Sequence, residues 1–234
     1  MSVWGGDKVM VYNTGSGVFT DSIAVGDNPN ELCLAGNGKY LYVANANDNS
    51  VSVIDVRGRK VVEVLNAALY PDAPSGSTTN GLALSRDGKK LYIANADNNC
   101  LAVFDVSRVG ASVSRGFIPV GWYPTSVKCV GGKLYVANGK GFSSYPNPHG
   151  PNPYGTGQKV LLHQGDSQPV SKVQYIGGGL MMGTMSIISE PSDAELAEYT
   201  KAVYRNTPYT KAGSWWQTVR RGIRCRGGWG MFRR

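Results

Sequence analysis

Two histidines, four cysteines and 16 carboxylates are the side chains of this 234-residue chain best suited to chemistry. His149 and His163 stand among Pro, Asn and Gly, with no second ligand at metal-binding spacing. A Ser–His–Asp triad can be assembled in any chain order, but no GxSxG turn is present to expose a serine. No residue is therefore assigned a catalytic role. Asp55 and Asp105 could form a general acid–base pair only if the fold brought them together. They hold equivalent places in a repeat, which puts them on neighbouring units and favours hydrogen bonds that anchor a turn. Cys33, Cys100, Cys129 and Cys225 form no CxxC pair, so they read as free, mostly buried thiols rather than zinc ligands.

The clusters Asn47-Asp48-Asn49 and Asp97-Asn98-Asn99 offer oxygens to a cation. Calcium needs six to eight, whereas Asn and Asp are favoured at turns because they bond their own backbone and tolerate left-handed φ. Their recurrence at equal repeat positions favours the turn. No metal or cofactor is expected. Trp122 and Tyr123 are adjacent aromatics in a connection between strands. They read either as a platform for a ligand or as packing between units.

The elements that hold these residues come from an internal repeat. Asn37-Gly-Lys-Tyr-Leu-Tyr-Val-Ala-Asn45, followed by Val51-Ser-Val-Ile-Asp-Val56, recurs as Asp87-Gly-Lys-Lys-Leu-Tyr-Ile-Ala-Asn95 and Leu101-Ala-Val-Phe-Asp-Val106. A shorter copy is Gly131-Gly-Lys-Leu-Tyr-Val-Ala-Asn138. The spacings of the marker asparagine are 50 and 43 residues. Each unit reads as four short strands, a to d, joined by turns such as Asn-Gly and Asp-Gly, where glycine accepts positive φ. A 40–50-residue period of four strands is the pattern of a β-propeller blade. Lys8–Thr14 and Val18–Val25 match the third and fourth strands, so the chain opens inside a blade. The expected fold is all-β: about three and a half four-stranded antiparallel blades of a partial propeller, then one C-terminal helix and a basic tail.

Composition agrees. Gly (31) and Pro (12) are frequent and only 17% of residues are charged, which suits a turn-rich β protein and argues against a coiled coil or wholesale disorder. The net charge of +8 resides in the tail: residues 211–234 hold seven basic side chains and no acid. The near-neutral body argues against a surface built to grip nucleic acid. No apolar stretch is long enough to span a membrane. The start has no apolar core of a signal peptide, and the compartment stays open.

Leu-Tyr-Val-Ala-Asn followed by Val-Ser-Val-Ile-Asp resembles the YVTN-repeat β-propellers. The segments Gly139–Pro153, Tyr175-Ile-Gly, Gly183–Ile188 and Ala197–Tyr209 are similar to a branch that carries an alkaline-phosphatase-superfamily phosphoesterase after the propeller. The resemblance spans about residues 7–210. It implies an N-terminal propeller whose relatives are often exported. The chain departs from the pattern before Asp7, where blades are missing, and after Thr210, where no phosphoesterase follows. The Trp- and Arg-rich text from Lys211 onward is what a shifted frame or truncated gene would produce.

Up-and-down connectivity sorts the loops. The a–b turns (Gly36-Asn-Gly, Arg86-Asp-Gly, Val130-Gly-Gly) lie at one end, and the b–c loops and blade-to-blade connections at the other. Function concentrates on loops held by a rigid scaffold. The long-loop end is the candidate ligand face, with Asn28, Asn30, Asp48, Tyr70, Asp72, Asp97, Asn98, Trp122, Tyr123 and His149. Open blade edges invite self-association.

The expected domains are the propeller over 1–191, with a long excursion over 139–182, helix and linker over 192–210, and the tail over 211–234. Ser192-Asp-Ala-Glu195 is a capping box, and Leu196, Tyr199, Val203 and Tyr204 form an apolar stripe behind it. The chain reads as a non-catalytic binding or scaffold module. The alternatives are the accessory part of a phosphoesterase, and an adaptor whose tail binds nucleic acid or anionic membrane.

Overall fold

The computed structural model describes residues 1–141 and 183–207. Among these residues fourteen strands form four antiparallel sheets. The first sheet is β1 (Ser2–Val3), β2 (Lys8–Tyr12) and β3 (Phe19–Ala24). The second is β4 (Pro29–Leu34), β5 (Tyr40–Asn45), β6 (Ser50–Asp55) and β7 (Lys60–Asn66). The third is β8 (Thr79–Leu84), β9 (Lys90–Asn95), β10 (Cys100–Asp105) and β11 (Val113–Pro119). The fourth is β12 (Trp122–Val130), β13 (Lys133–Gly141) and β14 (Thr184–Ser189). The helix α1 (Asp193–Asn206) follows. These are blades of a partial β-propeller. β4, β8 and β12 pack side by side at the inner edge.

The middle strands show why Leu-Tyr-Val-Ala-Asn is apolar without alternation. A blade between two others is covered on both faces, so β5, β6, β9 and β10 are buried almost throughout. Three apolar clusters form, one in each space between sheets. Val9, Ile23, Val43 and Ile54 join the first two sheets. Tyr42, Val53, Leu91 and Phe104 join the second and third. Tyr92, Leu101, Val127 and Leu134 join the third and fourth. Each such side chain contributes roughly 1.5–3 kcal/mol on burial. The outer strand β7 meets solvent on one face and alternates accordingly.

Asp55 and Asp105 both anchor turns: their Oδ1 atoms accept the N–H groups of Arg57 and Ser107 at 3.0 Å. Three thiols, those of Cys33, Cys100 and Cys129, are free. Burial pushes the Cys100 thiol up to about 12.

The first sheet differs from the expected strand count, and the last gains its third strand after the long excursion. The first has three strands rather than two, because Ser2–Val3 adds to β2; a two-residue strand leaves no periodic trace in sequence. Thr184–Ser189 supplies a third strand to the last sheet, pairing with β13 over Lys133–Asn138. β13 itself runs on to Gly141, so pairing with β12 takes in the first residues of the 139–182 excursion.

Helix α1 packs on β11 of the third sheet. Its N-terminus is the expected capping box: Glu195 N–H donates to Ser192 Oγ, and Ser192 N–H donates to Glu195 Oε2. Leu196 and Val203 are buried. Thr200 Oγ1 accepts the Phe117 N–H at 2.9 Å, which satisfies an outer-strand amide that no fifth strand pairs. The approach requires Gly116. Its φ is +133°, it lies at a bulge of β11, and a Cβ there would collide with Thr200 Oγ1.

Candidate functional site

At the long-loop end, each b–c loop holds the connections on either side of it. Asp27 N–H donates to Asp48 Oδ2 at 2.7 Å, and the Thr78 hydroxyl donates to Asp97 Oδ2. Asn28 N–H reaches Asp7 Oδ1, and Tyr123 N–H reaches Asn99 Oδ1 at 2.9 Å. Asp7, Asn49 and Asn99 occupy equivalent positions and share left-handed φ of 52–53°. Asn28, Thr78 and Tyr123 do the same in the connections, at 51–63°. For a tyrosine or threonine that conformation is strained.

The marker asparagines, which lead into these loops, are buried. Asn45 Nδ2 donates to Ser50 and Ser52 Oγ at 2.9 Å, and Asn138 Nδ2 to Ser186 Oγ at 2.9 Å. In the third sheet the serine positions are Cys100 and Ala102, and Asn95 Nδ2 turns instead to Ala67 O at 2.7 Å.

One difference between the repeats opens a cavity. Val25 is followed directly by Gly26, and Val120 by Gly121, but between the equivalent Ala67 and Gly76 the chain carries residues 68–75 in addition. That insertion covers the second sheet's b–c loop. Asn49 is 3% exposed, its Nδ2 donates to Pro74 O, and its Oδ1 accepts the N–H groups of Gly76 and Ser77. The Val120-Gly121 connection is too short to cover the third sheet's loop. A cavity of about 320 Å³ remains there. Its walls are the loop 97–99, the connection 119–122, Leu69 of the insertion and the C-terminal turn of α1.

Of the candidate face, Asp97, Asn98 and Trp122 border this cavity together. Trp122 is 38% exposed. Lys140 Nζ lies 5.6 Å from its ring centroid and 4.2 Å from that of Tyr123. Burial, then the Asp97 carboxylate, raises the Tyr123 phenol above its ordinary value. Asn28 and Asp48 lie on the same end but at the first two sheets. Asn30 faces the inner edge, where its Nδ2 bonds Asn80 Oδ1. Tyr70 packs on Tyr204, centroids 5.7 Å apart, and the Tyr204 hydroxyl donates to Leu69 O. Asp72 is exposed. His149 lies outside the described residues, as do His163 and the basic tail.

Asn99, Asn206 and Lys140 were not among the candidates. Asn99 was legible as a turn residue, and the other two carry no signal in sequence. Among the described residues no group of three His, Cys, Asp or Glu could hold a metal ion, and no helix is long and apolar enough to cross a membrane.

Comparison with known proteins agrees with the fold. The family model "Lactonase, 7-bladed beta-propeller" matches residues 3–140. No curated protein matches. Among solved structures, Kuenenia stuttgartiensis hydrazine synthase is 25% identical over 57% of this chain and 36% of its own, with a TM-score of 0.49. A 6-phosphogluconolactonase candidate from Bacteroides uniformis is 21% identical over 56% and 41%, TM-score 0.49. A Lactobacillus plantarum protein is 23% identical over 56% and 42%, TM-score 0.51, a likeness of fold alone. The chain spans well under half the length of each. With a stretch from the first strand through β13 matched, which is more than half of its residues, the chain belongs to the lactonase family of seven-bladed β-propellers.

Proposed function

We propose that this chain is a non-catalytic propeller module that binds a small polar ligand at its long-loop end, in the cavity beside the third sheet's b–c loop and Trp122. The observation that carries this reading is that Asp97, Asn98 and Trp122, separated by a whole strand pair in sequence, border one cavity. In this reading residues 1–191 are the propeller, 192–210 the helix and linker, and 211–234 a tail. The YVTN-type repeat and its resemblance to phosphoesterase-fused propellers make it an accessory module of a larger protein. The test is a ligand-observed NMR fragment screen on the full chain, repeated with Trp122→Ala. Hits that compete with one another and vanish in the variant support the module. A screen with no hit, or hits indifferent to the variant, overturns it.

A second reading, a portion of a lactone hydrolase, is favoured by the family match and by the name of the Bacteroides uniformis neighbour. Turnover of 6-phosphogluconolactone by the full chain, above the spontaneous rate, would favour it over the binding module.

A further inference from the structure

We propose that the cavity beside Trp122 is a saccharide site for a neutral pyranose; this rests on the reading of that cavity as the ligand site. A pyranose has an apolar C–H face and a rim of hydroxyls that both donate and accept. A receptor for it needs an aromatic wall and a few fixed polar atoms of both kinds. The cavity holds both. Trp122 is the wall. Lys140, which does not border the cavity, sits over both rings of the Trp122–Tyr123 pair and holds them.

The polar atoms are fixed because each loop side chain spends one end on the neighbouring connection. Asp97 Oδ2 accepts the Thr78 hydroxyl, Asn98 Nδ2 donates to Ser77 Oγ at 2.7 Å, and Asn99 Oδ1 accepts the Tyr123 N–H. Among the described residues that leaves Asp97 Oδ1 and Asn98 Oδ1 to accept, and Asn99 Nδ2 to donate. Vicinal hydroxyls match such a set, and ordering it costs a ligand little because the side chains are already held.

Charge selects against an anion. Among the described residues Asp97 is the one ionised group bordering the cavity, and no Lys or Arg is among its walls. A phosphorylated sugar would meet a carboxylate, with no cation among the described wall residues to offset it. At about 320 Å³ the cavity is at the small end of ligand sites, the size for one or two sugar rings rather than a long chain. The second sheet is a built-in comparison. Its equivalent Asn49 has both amide ends bonded to residues 74–77, so no such site exists there.

The experiment is a saturation-transfer NMR and calorimetric titration of the full chain. The probes are the methyl glycosides of glucose, galactose, mannose and N-acetylglucosamine, their disaccharides, and glucose 6-phosphate. At least one neutral glycoside should bind, its C–H protons receiving saturation, and Trp122→Ala and Asp97→Asn should each weaken it by about tenfold. Asn47→Ala, in the second sheet's loop, should leave it unchanged, and matching thermal melts show that the variants fold. A glycan array tells a free sugar from a terminal residue on a larger glycan. Tighter binding of glucose 6-phosphate, or saccharide binding indifferent to both variants, overturns the proposal. If no saccharide binds while unrelated fragments still depend on Trp122, the saccharide assignment falls and the binding module stands. If nothing binds, both fall.

Discussion

Lys128 Nζ donates to Glu31 Oε1 at 2.7 Å, joining β12 to β4 across the intervening β8. The second carboxylate oxygen of Glu31 accepts the Leu82 N–H of β8 at 2.9 Å. One side chain therefore links the inner strands of three consecutive blades. The two bonds differ in weight. Lys128 is mostly exposed, so its ion pair is screened and contributes under about 1 kcal/mol. The Leu82 amide belongs to a residue only 1% exposed, so losing its carboxylate acceptor would leave a buried donor unpaired. Glu31→Ala should cost about 1–3 kcal/mol, and Lys128→Met much less. Urea denaturation of the two variants checks this; equal losses would mean that the ion pair, not the amide bond, carries the link.

The contact between Gly116 and Thr200 holds α1 on β11. Gly116→Ala adds a Cβ where Thr200 Oγ1 stands and forces a side chain into φ +133°. The strain alone costs about 1–3 kcal/mol. Thr200→Val leaves the Phe117 N–H unpaired, at a similar cost. In both variants hydrogen exchange at Phe117 should accelerate while β9 and β10 stay protected. Unchanged exchange at Phe117 would mean that the helix does not guard this edge.

The helix cap titrates. The Ser192 backbone amide, then its hydroxyl, holds the Glu195 carboxyl below its ordinary value of 4.5. A depressed folded value means that the cap's contribution is complete above that ordinary value and is lost as pH falls through the lower folded one. Lys201 lowers Glu198 in the same direction. Helical circular dichroism should decline over this acid window, and less steeply in Glu195→Gln, which keeps an acceptor but does not ionise. Superimposable curves would remove the cap from the account.

The thiols should react in a fixed order. Cys100 is fully buried, with its pKa pushed to about 12, while Cys33 and Cys129 are only half-buried and raised, chiefly by desolvation. The thiolate is the reactive form. Labelling of native protein with a disulfide reagent, followed by peptide mapping, should find Cys33 and Cys129 slow and Cys100 silent until unfolding. Early labelling of Cys100 would show that the second and third sheets part readily.

Self-association is expected through the last sheet. Met185 and Ile187 are 62% and 59% exposed on the face of β14 turned away from the third sheet, and β14 has no further strand beside it among the described residues. An apolar blade face beside an unpaired edge favours association. Light scattering over a dilution series should give a mass that rises with concentration, and Met185→Lys with Ile187→Lys should lower it. A monomer at every concentration would refute this.

The sequence by itself determined what is local or repeated. The spacing of Asn45, Asn95 and Asn138 set the blades, Asn-Gly and Asp-Gly set the hairpin turns, and Ser192 with Glu195 set the start of α1. The turns and the cap depend on residues a few positions apart, whose backbone preferences act without the rest of the chain, and the blades on the recurrence of one such local pattern. The tertiary structure alone decided what depends on stacking. β1 is too short to show a period and exists only because β2 offers it an edge. The cavity arises because residues 68–75 cover one b–c loop and nothing equivalent among the described residues covers the next, and α1 then completes its wall. Lys140 meets the rings of Trp122 and Tyr123 only after β13 pairs with β12. Whether Trp122 packs between blades or stands at the surface could not be read from its type. An aromatic ring satisfies either role, and the short Val120-Gly121 connection leaves it in the open.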